Sequence, residues 1–235
     1  MSESSRTDFN AKYLAARQQN TGILGYGLGR RTRMLVSAIE AALPSIERHR
    51  VDVVDFGCAD AAMLRATAQA LGPRHGSSVG LDVFRTGAPP DGNGMRFLNV
   101  DLFKNYPYPL ADQACDIAIA SAFMKHHPDT RRFLSEVARV LRPGGIAVLL
   151  DPRPFAVKVG QMVGKFSRDY NPSPWSRQSV TALLDEGGIA LRPHRYERYW
   201  VSPTQAIYDT GVEKLLSRSM VHLLALHQCM VLKRT

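Results

Sequence analysis

The chain has 235 residues, 45% of them apolar, enough for one sizeable core, so a single α/β domain is the starting expectation. Its 30 Lys and Arg against 21 Asp and Glu give a formal charge of +9, but the cations are scattered in small clusters (residues 29–33, 194–198 and 232–235), so charge alone is weak support for a nucleic-acid partner. No run reaches the roughly 18 to 20 apolar residues of a membrane helix, MSESSRTDFN lacks a signal-peptide core, and Cys58, Cys115 and Cys229 lie too far apart for a disulfide framework or a zinc site; a soluble, cytoplasmic protein with free thiols and no metal is expected.

Apolar residues at Met34, Leu35, Ala38, Ile39, Ala42 and Leu43 recur at helical spacing and predict an amphipathic helix over 30–43, stopped by Pro44. VDVVDF (51–56) predicts a first strand, and AAMLRATAQALGPR (61–74) a helix ended by Gly72-Pro73. SSVGLDVF (77–84) and GMRFLNVDLF (94–103) predict two further strands, joined by RTGAPPDGNG, whose breakers argue for a loop with a shortened or absent crossover helix. ACDIAIASAFM (114–124) predicts a fourth strand. DTRRFLSEVARVL (129–141) predicts a helix capped by Asp129 or Thr130, and RPGG ends it. GIAVLLDP (145–152) predicts a fifth strand, and SRQSVTALLDEGG (176–188) a helix capped by Ser176 and closed by Gly187. IALRPHRYERYWV (189–201) and LLALHQCMVLKR (223–234) predict the last two strands.

Strands alternating with helices imply a mainly parallel sheet whose ligands bind beyond the carboxyl ends of the strands. The polar residues Asp55 with Gly57, Asp82, Asp101, Ser121 and Asp151 fall at those ends in turn. Gly57, between strand and helix, can let a ligand approach the backbone, and Asp82 lies where a carboxylate can accept two ribose hydroxyls. Together they point to an adenosine-type ligand.

The ordered set VVDFGCADA (53–61), GLDVF (80–84), VDLFKNYPYPLADQACDIAIAS (100–121) and AFMKHHPDTRRFLSEVARVLRPGGIAVLLDP (122–152) resembles the class I S-adenosylmethionine-dependent methyltransferases, in particular those with a type 11-like methyltransferase domain. The resemblance implies a Rossmann-like three-layer α/β/α sandwich whose seven-stranded sheet is mostly parallel, with the last strand antiparallel. It implies one domain over 1–235: a helical lid at 1–50, a cofactor-binding core at 51–152 and an acceptor-side half with insertions at 153–235. It also implies S-adenosyl-L-methionine as cofactor. Asp55, Gly57 and Cys58 would then hold its methionine end, Asp82 its ribose and Val83 one face of the adenine. Asp101 and the Leu102 amide would meet the adenine amino edge, Ser121 would line the floor near the sulfonium, and Arg142 to Gly145 would be a structural turn.

A nicotinamide oxidoreductase shares the layout, but its glycine-rich loop needs a glycine where this chain has Ala59, so that a pyrophosphate can approach. Methyl transfer needs positioning above all. An acceptor hydroxyl would also have to lose a proton, for which His126 is the candidate base, with His127 beside it. His194, His222 and His227 read as surface or core residues. The acceptor pocket is expected from segments 13–30, 153–175 and 202–220, with Tyr13, Arg153, Tyr170 and Trp175 as candidate contacts, although Trp175 also reads as a core anchor. The expected activity is methylation of O or N on a small molecule. The alternatives are an RNA methyltransferase, motivated by charge, and a non-catalytic cofactor-binding scaffold, motivated by the glycine-poor turn.

Overall fold

VDVVDF is apolar on both faces of its pleat, and the chain uses it inside a sheet. β1 (Val51–Phe56) pairs in parallel with β2 (His75–Asp82) on one side and β4 (Cys115–Ser121) on the other. β3 (Met95–Asn99) lies outside β2 and β5 (Leu141–Pro152) outside β4, both parallel. β7 (His227–Arg234) runs antiparallel to β5 and to the edge strand β6 (Leu191–Tyr199), giving seven strands in the order 3-2-1-4-5-7-6. The computed structural model describes residues 23–83, 92, 94–162, 174–199 and 226–235.

The described helices are α1 (Ile23–Ala42), α2 (Ala62–Leu71), α3 (Thr130–Val140), α4 (Pro154–Met162) and α5 (Arg177–Gly187). Successive strand residues point to opposite faces and so feed two cores. Val53, Ile117, Ile119, Val148 and Leu150 pack with α1 and α2, while Val54, Phe56, Ala118, Ala120 and Leu149 pack with α3 and α5. The result is the expected three-layer sandwich with its final strand antiparallel. On α3, Phe133, Leu134 and Val137 are fully buried, each contributing about 1.5–3 kcal/mol. Its cap is Asp129, whose carboxylate accepts the Arg132 N–H at 2.9 Å; Ser176 caps α5 in a reciprocal capping box with Ser179.

Several boundaries differ from the sequence reading. α1 begins at Ile23, running through Gly25, Gly27 and Gly29, because packing against α2, β5 and β7 overrides weak helix propensity. α4 was not anticipated; its first residue is Pro154, a position where a missing N–H costs nothing. β3 stops at Asn99, since Asp101 Oδ1 takes the Phe103 N–H at 3.0 Å and turns the chain. α5 includes Gly187, and Gly188, at φ +58°, is its left-handed cap. Most of 84–93, together with Tyr13, Tyr170 and 202–220, lies outside the described residues.

LRPGG, expected as a turn, is absorbed into the start of β5 as an irregularity: Leu141 pairs with Cys115 and Ile146 with Ile117. The extra chain places Arg142 so that Nη1 reaches Asp52 Oδ2 at 2.9 Å and Asp116 Oδ2 at 2.8 Å. Asp116 Oδ2 also accepts the Asp52 N–H at 2.9 Å, and Asp52 Oδ1 accepts the N–H and hydroxyl of Ser77. The starts of β1, β2, β4 and β5 are thereby tied together. Burial alone would raise the Asp52 pKa, but the hydrogen bonds from Ser77 and Arg142 outweigh it and hold the carboxyl below its ordinary range.

Candidate active site

After Phe56 the chain must turn into α2 within residues 57–61, and it does so with Gly57, Ala59 and Ala61 at φ +76°, +48° and +58°. That left-handed region costs an alanine about 1–2 kcal/mol. Most of the turn's N–H groups are used internally. Gly57 and Cys58 donate to Leu81 O at 2.8 and 3.2 Å, Ala59 to Asp82 Oδ2 at 2.8 Å, Ala61 to Cys58 O at 2.7 Å, and Ala62 to Asp60 Oδ1 at 3.2 Å. A pyrophosphate cradle aims such donors outward at its ligand, so this turn is not one.

The space beside Gly57 is occupied. A Cβ built there would lie 2.5 Å from Cδ2 of Phe123, so the glycine admits a protein ring, where the sequence suggested only the approach of a ligand. Phe123 in turn stacks on Phe103, centroids 5.6 Å apart, and tilts against Phe133 at 5.4 Å. Cys58 turns inward: a Cβ on Gly80 would meet its Sγ at 2.7 Å, and burial pushes the thiol pKa far up. Any ligand contact of Cys58 is therefore through its backbone. Asp55 is buried within β1, between Gly80 and Ile119. All three cysteines are buried free thiols.

Asp82 ends β2, half-buried, and its carboxylate is oriented by the Ala59 N–H; Val83 follows it, also half-buried. The Asp82 carbonyl accepts the Val100 N–H at 3.0 Å, which brings the chain of Asp101 and Leu102 alongside. Asp101 is half-buried and Leu102 packs in the core. The structure thus brings Asp82, the 57–59 turn and the residues after β3 to one end of the sheet.

At the end of β4, Ser121 Oγ is closed off from solvent with no hydrogen-bond partner among the described residues. The following 3-10 turn, Met124–His126, holds His126, and His127 follows directly as its C-cap. His127 is fully buried: Nδ1 accepts the Asp129 N–H at 3.1 Å, and Nε2 donates toward Leu102 O at 3.2 Å and also meets the Tyr106 hydroxyl. With Nδ1 accepting, the proton sits on Nε2, and burial lowers the pKa, so the ring stays neutral and structural. His126 is only half-buried, its N–H held by Phe123 O at 2.9 Å.

Next to them lies a polar cluster that the sequence reading did not assemble. Lys125, buried, places Nζ 2.8 Å from Ala122 O and 3.3 Å from Asp151 Oδ1. Asp151 Oδ2 accepts the indole N–H of Trp175 at 2.8 Å. Gln228 donates to Trp175 O at 2.6 Å and accepts from the Tyr196 hydroxyl at 3.0 Å. Burial lowers the Lys125 pKa and raises that of Asp151, while their mutual attraction opposes both shifts. Trp175, named as an acceptor contact, thus has the placement of a core anchor, its one donor committed. Arg153 begins the chain after β5, half-buried, its N–H donating to Leu226 O at 2.8 Å. The only sequence signal for this cluster was polarity at strand ends, which Asp151 showed and Lys125 did not.

Among the described residues no group of His, Cys, Asp and Glu could hold a metal ion, and no helix is long and apolar enough to cross a membrane. The profile of the family described as "Methyltransferase domain" matches residues 24–149. Among solved structures, 1,6-didemethyltoxoflavin-N1-methyltransferase from Burkholderia thailandensis, with 1,6-didemethyltoxoflavin and S-adenosylhomocysteine bound, is 15% identical over 98% of this chain and 87% of that one, at TM-score 0.61. An S-adenosylmethionine-dependent methyltransferase from Mesorhizobium loti is 18% identical over 83% of this chain and 96% of that one, at TM-score 0.58. No curated protein matches the chain. With its strand order, its turn without a pyrophosphate cradle and more than half its length matched, the chain belongs to the methyltransferase domain family and is an S-adenosylmethionine-dependent methyltransferase.

Proposed function

We propose that this enzyme methylates an O or N atom of a small-molecule acceptor seated beyond the ends of β4 and β5. Ser121 carries the reading: its hydroxyl, at the end of β4, is shut off from solvent and without a partner among the described residues, which does not suit an open nucleic-acid groove.

The residues fit the cofactor. Asp82 accepts the ribose hydroxyls, its carboxylate pre-oriented by Ala59, and Val83 flanks the adenine. Asp101 and the Leu102 amide meet the adenine edge. Asp55, Gly57 and the Cys58 backbone line the methionine end, where no pyrophosphate has to be cradled. When bound, S-adenosylmethionine supplies an activated methyl group on sulfonium sulfur, so alignment and exclusion of water provide much of the rate. Ser121 faces the reacting end, and the Phe123 and Phe103 rings keep water from the turn. His126 takes the proton that an acceptor hydroxyl loses. Arg153 and Trp175 act on the acceptor side, Trp175 by holding Asp151; Tyr13 and Tyr170 are candidates from the sequence alone.

Incubation with methyl-labelled S-adenosylmethionine and, separately, a small-metabolite extract and total RNA tests the proposal. Label is expected in hydroxyl- or amine-bearing small molecules. Label confined to RNA would overturn it.

A further inference from the structure

The alternation of β4 breaks just past its end. Ile117 and Ile119 belong to the core under α1 and α2, and continued pleating would send Ser121 and then Phe123 to that same face. Phe123 instead lies in the other core, against Phe103 and Phe133, with its ring in the space beside Gly57. Ala122 makes the crossing, at φ +55°, in the left-handed region. That region disfavours an alanine roughly tenfold, and such a conformation persists only where its surroundings over-determine it.

Two hydrogen bonds hold it. The Ala122 N–H donates to Leu150 O at 2.6 Å, and the Ala122 carbonyl accepts from Lys125 Nζ at 2.8 Å. The second bond comes from an ammonium in a place that burial makes costly for a charge. Asp151 sets that ammonium: Oδ1 lies 3.3 Å from Nζ, and Oδ2 lies 3.4 Å from the main-chain N of Lys125 and 2.8 Å from the Trp175 indole nitrogen. Lys125 thus folds back over its own turn and closes residues 122–125 into a loop with Phe123 inside it. A methionine could fill the same volume without the charge, but it could not grip a carbonyl.

We propose that Lys125 is a positioning residue for the cofactor site. Its ammonium, set by Asp151, holds Ala122 left-handed and so keeps the Phe123 ring against the Gly57 turn. The assignment rests on that turn lining the methionine end of S-adenosylmethionine. Without the grip, Ala122 relaxes toward ordinary φ, Phe123 follows the strand's alternation out of the space beside Gly57, and the turn loses the ring that backs it.

The test uses the full-length protein, with S-adenosylhomocysteine as the probe. Lys125→Met combined with Asp151→Asn removes the grip without stranding a charge, the new amide oxygen still accepting from Trp175; urea denaturation shows that the fold is kept. Calorimetry is expected to give an affinity about tenfold below that of the unaltered protein. Adding Ala122→Gly, which makes the left-handed conformation freely accessible, should restore most of that loss. The backbone carbon shifts of Ala122, identified by their loss in Ala122→Gly, should leave the left-handed range in the double variant. A role in stability alone would leave the affinity unchanged once the fold is recovered, and Ala122→Gly would have nothing to restore. Unchanged affinity in the double variant, a loss that Ala122→Gly does not restore, or unmoved Ala122 shifts overturns the proposal. Asp82→Ala in the same calorimeter reads the cofactor assignment, and the Ala122 shifts read the grip with no ligand present, so the two failures give different results.

Discussion

The main-chain N–H of Ala59 donates to Oδ2 of Asp82 at 2.8 Å, so the acid at the end of β2 is a structural part of the turn after β1. Asp82→Asn keeps an acceptor for that N–H and loses the charge; Asp82→Ala loses both. Affinity for S-adenosylhomocysteine, measured by calorimetry, is expected to fall at least about tenfold in the first and further in the second. Only the alanine variant should lose about 1–3 kcal/mol of stability in urea. Unchanged affinity in both variants would remove Asp82 from the ribose site.

The same turn predicts opposite signs two residues apart. Gly57→Ala places a Cβ 2.5 Å from Phe123 at φ +76°, and should cost about 1–3 kcal/mol. Ala59→Gly relieves a left-handed alanine and should gain up to about 1 kcal/mol, after allowing for the freer unfolded chain. Urea denaturation midpoints at equal slopes check both.

Lys125 and Asp151 form a buried pair, and removing one partner strands the other. Lys125→Met is expected to destabilise by about 3–5 kcal/mol, and the double variant Lys125→Met with Asp151→Asn to recover most of that loss. Strictly additive losses would show that the pair is not coupled.

Asp52 has a folded-state pKa below its ordinary value, so its contribution is present above the unfolded value and is lost as pH falls through the lower, folded one. Stability of the unaltered protein should therefore drop below about pH 4, and that drop should be shallower in Asp52→Asn, which is also weaker at pH 7. Thermal melts across pH 2.5–7 read both; parallel curves would argue against the assignment.

His126→Ala is expected to lower kcat about a hundredfold for a hydroxyl acceptor while leaving its KM within a small factor. A rise in KM alone would make His126 a binding group. His127→Ala should instead destabilise the fold, since both its ring nitrogens are bonded within the protein.

What could be read from the sequence was local. Asp129 and Ser176 announce helix starts because a cap acts within three residues, and the alternation of strand and helix is enough to imply a parallel sheet. Gly57 was recognisable as an intolerant position, but the ring that fills its space belongs to Phe123, in another strand's loop, and no spacing rule links the two. Trp175 and Asp151 are 24 positions apart and meet only because β5 and β7 pair and α5 begins beside them. His227 looked like any histidine near a strand; its Nδ1, without a hydrogen-bond partner among the described residues, is buried only once β7 pairs with β5.

Arg142 grips Asp52 and Asp116 at the end of the sheet opposite the candidate site, which makes the LRPGG irregularity an alignment pin. Side chains alternate along a strand, so a one-residue slip of β4 against β1 would send Ser121 to the other face of the sheet and put Ala120 or Ala122 in its place. The candidate site is thus indexed from the far edge. Loosening Arg142 should therefore degrade the aim of the chemistry before it unfolds the domain.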